Sequence, residues 1–318
     1  MLRFWFLWLA SAPALFAAEP ALYELSGHMV PRLGAYVSLF GVNSPYSTSA
    51  LADASGHFKF KKLEAGTYTL AIFSRRRGEA RRTIEVGPAT ADRKGRIALT
   101  LRLAESDFEF SSLMRQNLIS TRQLAVPESA LHEYREAQKD LSRHDADSAR
   151  KRLEHAVDLA PQFAAAWNSL GVIAYQTRKY DRAEECFREA AGLDPQSFEA
   201  LVNLGGVLVT LRKLDEALDY NLKAVLARPN DALANAQLGM TYFSLGQEEL
   251  ALKYLERARD LDPAHFSHPQ LLLFQIHVHR GQREIAAGDL EDFLKQHPDW
   301  PQATKFRETI MELRAPAR

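Results

Sequence analysis

The stretch AAAWNSLGVIAYQTRKYDRAEECFREAAGLDPQS, Ala164–Ser197, decides the fold. Its proline belongs to a series: Pro161, Pro195, Pro229 and Pro263 stand 34 residues apart, and Pro298 follows after 35. A fixed period of this length marks a stack of helix pairs, each unit too small to bury its own apolar face and completed by its neighbours. Within the quoted unit the period carries Trp167, Leu170, Gly171, Ala183, Phe187 and Ala190. The following units keep Leu204, Gly205, Ala217 and Ala224, then Leu238, Gly239, Tyr242, Ala251 and Ala258. Gly or Ala at the crossing lets two helices approach closely, and the large residues fill the space against the next pair. The leading unit, Ala130–Phe163, keeps Ala137, Ala149 and Ala156 but places Glu133 and Glu136 at apolar positions, as a polar cap would. A fifth, longer unit keeps Ala286 and Leu290. Ala303, Phe306, Ile310 and Leu313 then recur at helical spacing, which predicts a closing amphipathic helix.

These positions resemble those of the tetratricopeptide repeat (TPR) family over about 185 residues. The resemblance implies an all-α superhelical solenoid over residues 127–314, with about five repeats and a C-terminal capping helix. It also implies a concave groove lined by the first helix of each pair. Carried onto this chain, the inward positions are Asn168, Val172, Tyr175 and Gln176, then Val202, Asn203 and Val209, then Gln237, Met240 and Phe243. Asn203 stands where some TPR proteins hydrogen-bond a ligand backbone, and Gln237 occupies the equivalent place one unit on. No Lys or Arg stands at these positions, so capture of a C-terminal carboxylate is not expected. An extended peptide or a partner helix with apolar side chains suits the surface better.

Upstream, from 21 to 103, short alternating apolar runs recur at about ten-residue spacing: Tyr23–Val30, Tyr36–Val42, His57–Phe60, Thr67–Phe73, Arg82–Val86 and Ile97–Leu103. The pattern predicts a small antiparallel β-sandwich. Asp53-Ala54-Ser55-Gly56 reads as a turn, with Asp bonding its own backbone and Gly taking a positive φ. Phe58, Phe60, Tyr68 and Leu70 alternate with polar residues and are expected in the core. Asp53 to Phe60 and Leu63 to Leu70 resemble the hairpin of the carboxypeptidase regulatory-like (transthyretin-like) family, which implies an accessory sandwich without a catalytic site. Arg75, Arg76 and Arg77, followed by Arg81 and Arg82, are read as a loop able to meet an anionic surface such as an envelope polymer. Residues 104–126 read as a linker, with an extended stretch from Leu118 to Val126 that either joins the sandwich or packs on the first helix. The fold class expected is thus α+β and multidomain.

Formal net charge is zero, yet the halves differ. Residues 21–103 hold 13 Lys and Arg against 6 Asp and Glu, while residues 104–318 hold 26 against 33. The acidic half excludes nucleic acid as a partner of the whole chain. The basic half could meet an anionic surface or the acidic half itself, and both readings stand at this point. Met1–Ala18 reads as an export signal with one positive charge, Arg3, ahead of a short apolar run broken by Pro13. The expected location is therefore the periplasm or outside the cell, in a bacterial envelope, with no integral span after cleavage. Cys186, the single cysteine, cannot form an intrachain disulfide and reads as a small buried residue on a helix. No metal-binding His-Glu-x-x-His, phosphate loop, nucleophile elbow or calcium loop occurs. His277 and His279 are two apart on a predicted helix and point away from each other. No cofactor and no enzymatic activity are expected.

Overall fold

The computed structural model describes residues 22–109 and 126–315. The export-signal stretch Met1–Ala18 and most of the 104–126 linker, including the Leu118–Val126 stretch up to residue 125, lie outside the described residues. Seven strands come first: β1 Tyr23–Val30, β2 Tyr36–Gly41, β3 Ser47–Leu51, β4 His57–Leu63, β5 Gly66–Ser74, β6 Gly78–Val86 and β7 Arg96–Arg102. They form two packed sheets, ordered β4-β1-β7 and β3-β2-β5-β6. Leu25, Met29, Val37, Leu39, Leu63, Tyr68, Leu70 and Ile72 fill the space between them, with Phe58 and Phe60. The Asp53 turn forms as its residues require. Asp53 Oδ1 accepts from the Ser55 and His57 N–H groups, and Gly56 takes φ +80°.

Three features differ from the sequence expectation. The sandwich is not wholly antiparallel, because β1 pairs β7 in parallel from Glu24↔Arg96 to Val30↔Arg102. β6 lies in one sheet and β7 in the other, so the chain crosses between sheets and β7 arrives in the same direction as β1. Strand β3 was unforeseen, since Ser-Thr-Ser-Ala-Leu carries almost no apolar alternation. Finally, Arg81 and Arg82 lie inside β6 and not in a loop. Gly78 at φ +95° closes the turn directly after Arg77, and the strand resumes at once.

Eleven helices follow among the described residues: α1 Glu128–Leu141, α2 Ala146–Leu159, α3 Ala164–Gln176, α4 Tyr180–Leu193, α5 Phe198–Thr210, α6 Leu214–Ala227, α7 Ala232–Ser244, α8 Glu248–Leu261, α9 Pro269–His279, α10 Arg283–Gln296 and α11 Ala303–Arg314. Helices α2, α4, α6 and α8 each end two residues before the periodic proline, which cannot continue a helix. A second periodicity sits between the helices of each pair. His144, Arg178, Arg212, Gly246 and Gly281 all have φ between +59° and +74°. Each reverses the chain in a left-handed cap, as where Lys179 N–H reaches the Ala174 carbonyl at 2.8 Å. Tight crossing depends on the small residues: a Cβ on Gly171 would lie 2.5 Å from the Phe187 ring. Ala183, Ala190, Ala217, Ala224, Ala251 and Ala258 have no exposed surface. The chain thus has a two-part α+β architecture, an antiparallel-rich strand region followed by a TPR-like solenoid.

Candidate functional site

The inner surface of the solenoid is the candidate site, and the sandwich leans on part of it. The outer face of the β3-β2-β5-β6 sheet carries three rows set by strand register: Leu51-Tyr36-Phe73-Glu79, Ser49-Ser38-Ala71-Arg81 and Ser47-Phe40-Thr69-Thr83. The third row and the β6 edge meet the solenoid. At one end Ser47 Oγ donates to Gln138 Oε1 on α1 at 3.0 Å, and Tyr46 stacks on His144. There Gln176 Nε2, at the end of α3, donates to the carbonyls of Gly41 at 2.9 Å and Val42 at 3.2 Å. At the other end the Thr83 backbone N–H donates to Asp262 Oδ2 at 2.9 Å.

Between these ends lies an ion network. Arg81 pairs with Glu79 at 2.5 Å, Glu199 at 2.9 Å and Asp231 at 4.0 Å. Arg228, itself buried, pairs with Glu79 and Glu199 at 3.1 Å and stacks over the Phe198 ring. Burial alone would push the Arg81 guanidinium down, but attraction from Glu79, Asp231 and Glu199 outweighs it and holds the group above its ordinary value. Glu79 is the mirror case: burial would raise its carboxyl, and Arg81 and Arg228 hold it below the usual range. Asp262 is pushed up by burial despite the Thr83 bonds. Asp231 also caps α7 through the Ala234 N–H, which fixes the carboxylate that faces Arg81. Phe40 and Thr69 from the sheet, with Leu233 and Phe266 from the solenoid, enclose a cavity of about 160 Å³ beside this network.

The ten inward residues are spread over different surroundings. Gln176 is engaged by the sandwich as described. Asn203 Nδ2 donates to Asn168 Oδ1 at 3.0 Å, so the two amides form a rung between α5 and α3. Val172 and Val209 pack against the core around Leu204, and Phe243 packs against the core around Leu238. Val202 is buried with Phe198 and Ala234. Gln237 is buried against Gly206, with its Oε1 lacking a partner, and Met240 is half-buried. Tyr175 alone of the ten is exposed, at 39%, and its hydroxyl lies 3.3 Å from Thr210 Oγ1.

Of the arginine series, Arg81 is taken up by the solenoid, and Arg82 pairs with Asp107 at 2.7 Å. Arg77 meets Glu105 at 3.3 Å and the Phe108 ring. Arg75 and Arg76 remain exposed. Sequence reasoning missed Gln138, His144, Glu199, Arg228, Asp231 and Asp262 as sandwich contacts. The opposite charge of the two halves was a signal for Glu199, Asp231 and Asp262 alone.

Cys186 is buried and unpaired, and no group of three or more His, Cys, Asp or Glu among the described residues is arranged to hold a metal ion. No helix among the described residues is long and apolar enough to cross a membrane.

Residues 132–262 match the family described as the middle TPR-like domain of cilia and flagella-associated protein 70. Among solved structures, MamA (residue 41 to the end) from Desulfovibrio magneticus RS-1 superposes with a TM-score of 0.50 at 23% identity, over 56% of this chain and 99% of that one. YrrB, described as a TPR protein with an unusual peptide-binding site, gives 0.49 at 23% identity, over 59% of this chain and 98% of its own. PilF of Pseudomonas aeruginosa gives 0.49 at 19% identity, over 58% and 89%. No curated protein matches the sequence. The family match, the MamA superposition and the 34-residue helix-pair period together identify the C-terminal part of this chain as a TPR-like helical repeat domain.

Proposed function

We propose that this chain is a non-catalytic scaffold of the bacterial cell envelope that holds an extended segment of a partner protein on the inner surface of its solenoid. One observation carries the reading. Solenoid side chains already grip main-chain groups of β-structure: Gln176 donates to two carbonyls at the end of β2, and Asp262 accepts a strand N–H from β6. Recognition through the backbone is what binding an extended peptide requires, with side-chain pockets adding selectivity. Tyr175, Asn203, Met240 and Phe243 are the residues assigned to the partner. The N-terminal sandwich is read as a carboxypeptidase regulatory-like module, and the bonded Asp53 hairpin supports that assignment. The envelope location rests on the Met1–Ala18 stretch.

The test is affinity capture from envelope extracts with the full chain and with a Tyr175→Glu, Asn203→Ala, Phe243→Glu variant. Partner recovery is expected to fall about tenfold or more, as loss of central contacts does elsewhere. Undiminished recovery refutes the assignment. A second reading, binding of an anionic envelope polymer by the sandwich, is favoured by one feature: Arg75 and Arg76 stand exposed at a sheet corner that the solenoid contacts described above do not reach.

A further inference from the structure

That corner is more than a charged loop. Leu51, Tyr36 and Phe73 are cross-strand neighbours in one row on the outer face of the sheet, on β3, β2 and β5. Outward sheet positions are usually polar, yet Leu51 is 67% exposed and Tyr36 52% exposed. The three side chains, with the Leu33–Ala35 loop and the Ser74–Arg77 turn, line an open cleft of about 390 Å³. That volume falls in the range of about 300–1,000 Å³ found for small-molecule sites. Arg75 and Arg76 stand at its rim with no ion-pair partner among the described residues, whereas Arg77 beside them is neutralised by Glu105.

We propose that this cleft binds an acidic sugar residue, a pyranose ring bearing a carboxylate. Resting on the second reading above, the proposal names its ligand and its site. The Tyr36 and Phe73 side chains offer an apolar floor for the C–H face of a sugar ring, and the Tyr36 hydroxyl adds a hydrogen-bonding tip. The guanidinium fork of Arg75 or Arg76 matches a carboxylate in geometry and charge. A bare phosphate or an acidic peptide would use the arginines but not the floor. A neutral sugar would use the floor but leave two cations unpaired. The row of apolar side chains beneath unpaired arginines therefore selects a ligand with both properties.

The experiment is calorimetric titration of the full chain with tetragalacturonate, with an uncharged glucose tetrasaccharide, and with a tetraglutamate peptide. Tetragalacturonate is expected to bind about tenfold or more tighter than either control, the difference one charge-assisted hydrogen bond provides. A R75Q/R76Q variant and a separate Tyr36→Ala variant should each lose about tenfold or more. These side chains are exposed, and an unchanged melting temperature confirms that the variants fold. Equal binding of the glutamate peptide, with no effect of Tyr36→Ala, would overturn the proposal in favour of simple charge attraction. Galacturonate binding that survives both variants would sink this cleft and leave the polymer reading standing. Absence of tetragalacturonate binding would overturn the proposal. None of these outcomes bears on partner capture by the solenoid.

Discussion

Replacing Arg81 by Met tests whether the sandwich is held by the solenoid. Met keeps an unbranched apolar side chain and removes the guanidinium that lies over the Phe198 ring, together with its charge. Glu79 then retains Arg228 alone, and Asp231, with 5% of its side chain exposed, loses its cation. Breaking a buried pair costs about 3–5 kcal/mol, while exposed pairs are worth about 0–1 kcal/mol. Arg81 keeps 26% of its side-chain surface exposed and its partner Glu199 keeps 45%, which places the site between those limits, at about 2–3 kcal/mol. Among the described residues the tryptophans, Trp167 and Trp300, both lie in the solenoid. In the chain without Met1–Ala18, which carries Trp5 and Trp8, urea unfolding followed by tryptophan fluorescence therefore reads the solenoid, although the substitution is in the sandwich. Arg81→Met should lower that stability by about 2–3 kcal/mol, and Arg75→Met, on the exposed turn nearby, should leave it unchanged. A loss below about 0.5 kcal/mol, the ordinary effect of a surface change, would refute the docking argument.

Acid should loosen the last repeats. Burial pushes His265 down to about 3 and His268 to about 4, and lowers His297, whose Nε2 lacks a partner. Unfolded histidine titrates near 6.5, so the unfolded chain takes up more protons below that pH; the stability is present above about pH 6.5 and is lost as pH falls toward the folded values. His265 and His268 each account for about 2 kcal/mol at pH 5. His268→Asn, which suits φ +50°, should shrink the loss between pH 7.5 and 5 by about that amount, and an unaltered loss in urea titrations would refute the assignment. Burial pushes the Cys186 thiol up to about 11. At pH 8 it should react with an aromatic disulfide at least about 100-fold more slowly than a free cysteine, with full labelling only in denaturant; rapid labelling of the native chain would contradict its buried place.

The solenoid was legible because its signal is redundant. The prolines at 161, 195, 229 and 263 and the alanines at 183, 217 and 251 each mark the same period. The left-handed caps were not legible, since His144, Arg178 and Arg212 hold a conformation that glycine would advertise. In the sandwich, alternation located every strand with a buried face and failed for β3, whose one large apolar residue, Leu51, faces outward at the end of a run of small and polar residues. The inner surface was half legible. Inward positions follow from the repeat, but occupation of Gln176 by Gly41 and Val42 depends on contacts 134 and 135 residues apart in the chain, which no local pattern encodes. The charge asymmetry came nearest. It allowed an intrachain match, and Arg81 against Glu199 and Asp231 is such a match, although Arg228 against Glu79 runs in the opposite sense.

Docking of the sandwich sets a condition on any partner. With the Arg81 share of about 2–3 kcal/mol as a lower bound on docking, the undocked form is at most about 0.6–3% of the population, and a ligand that needs the covered surface binds at least about 30- to 160-fold more weakly than its contacts allow. A ligand that uses the exposed side, around Tyr175 and Thr210, bears no such loss. Arg81→Met separates the two cases because it acts on docking without touching Tyr175. Tighter partner binding by that variant means that the partner displaces the sandwich from Gln176 and Asp262. Unchanged binding means that sandwich and partner occupy the solenoid together, with the sandwich as one wall of the site.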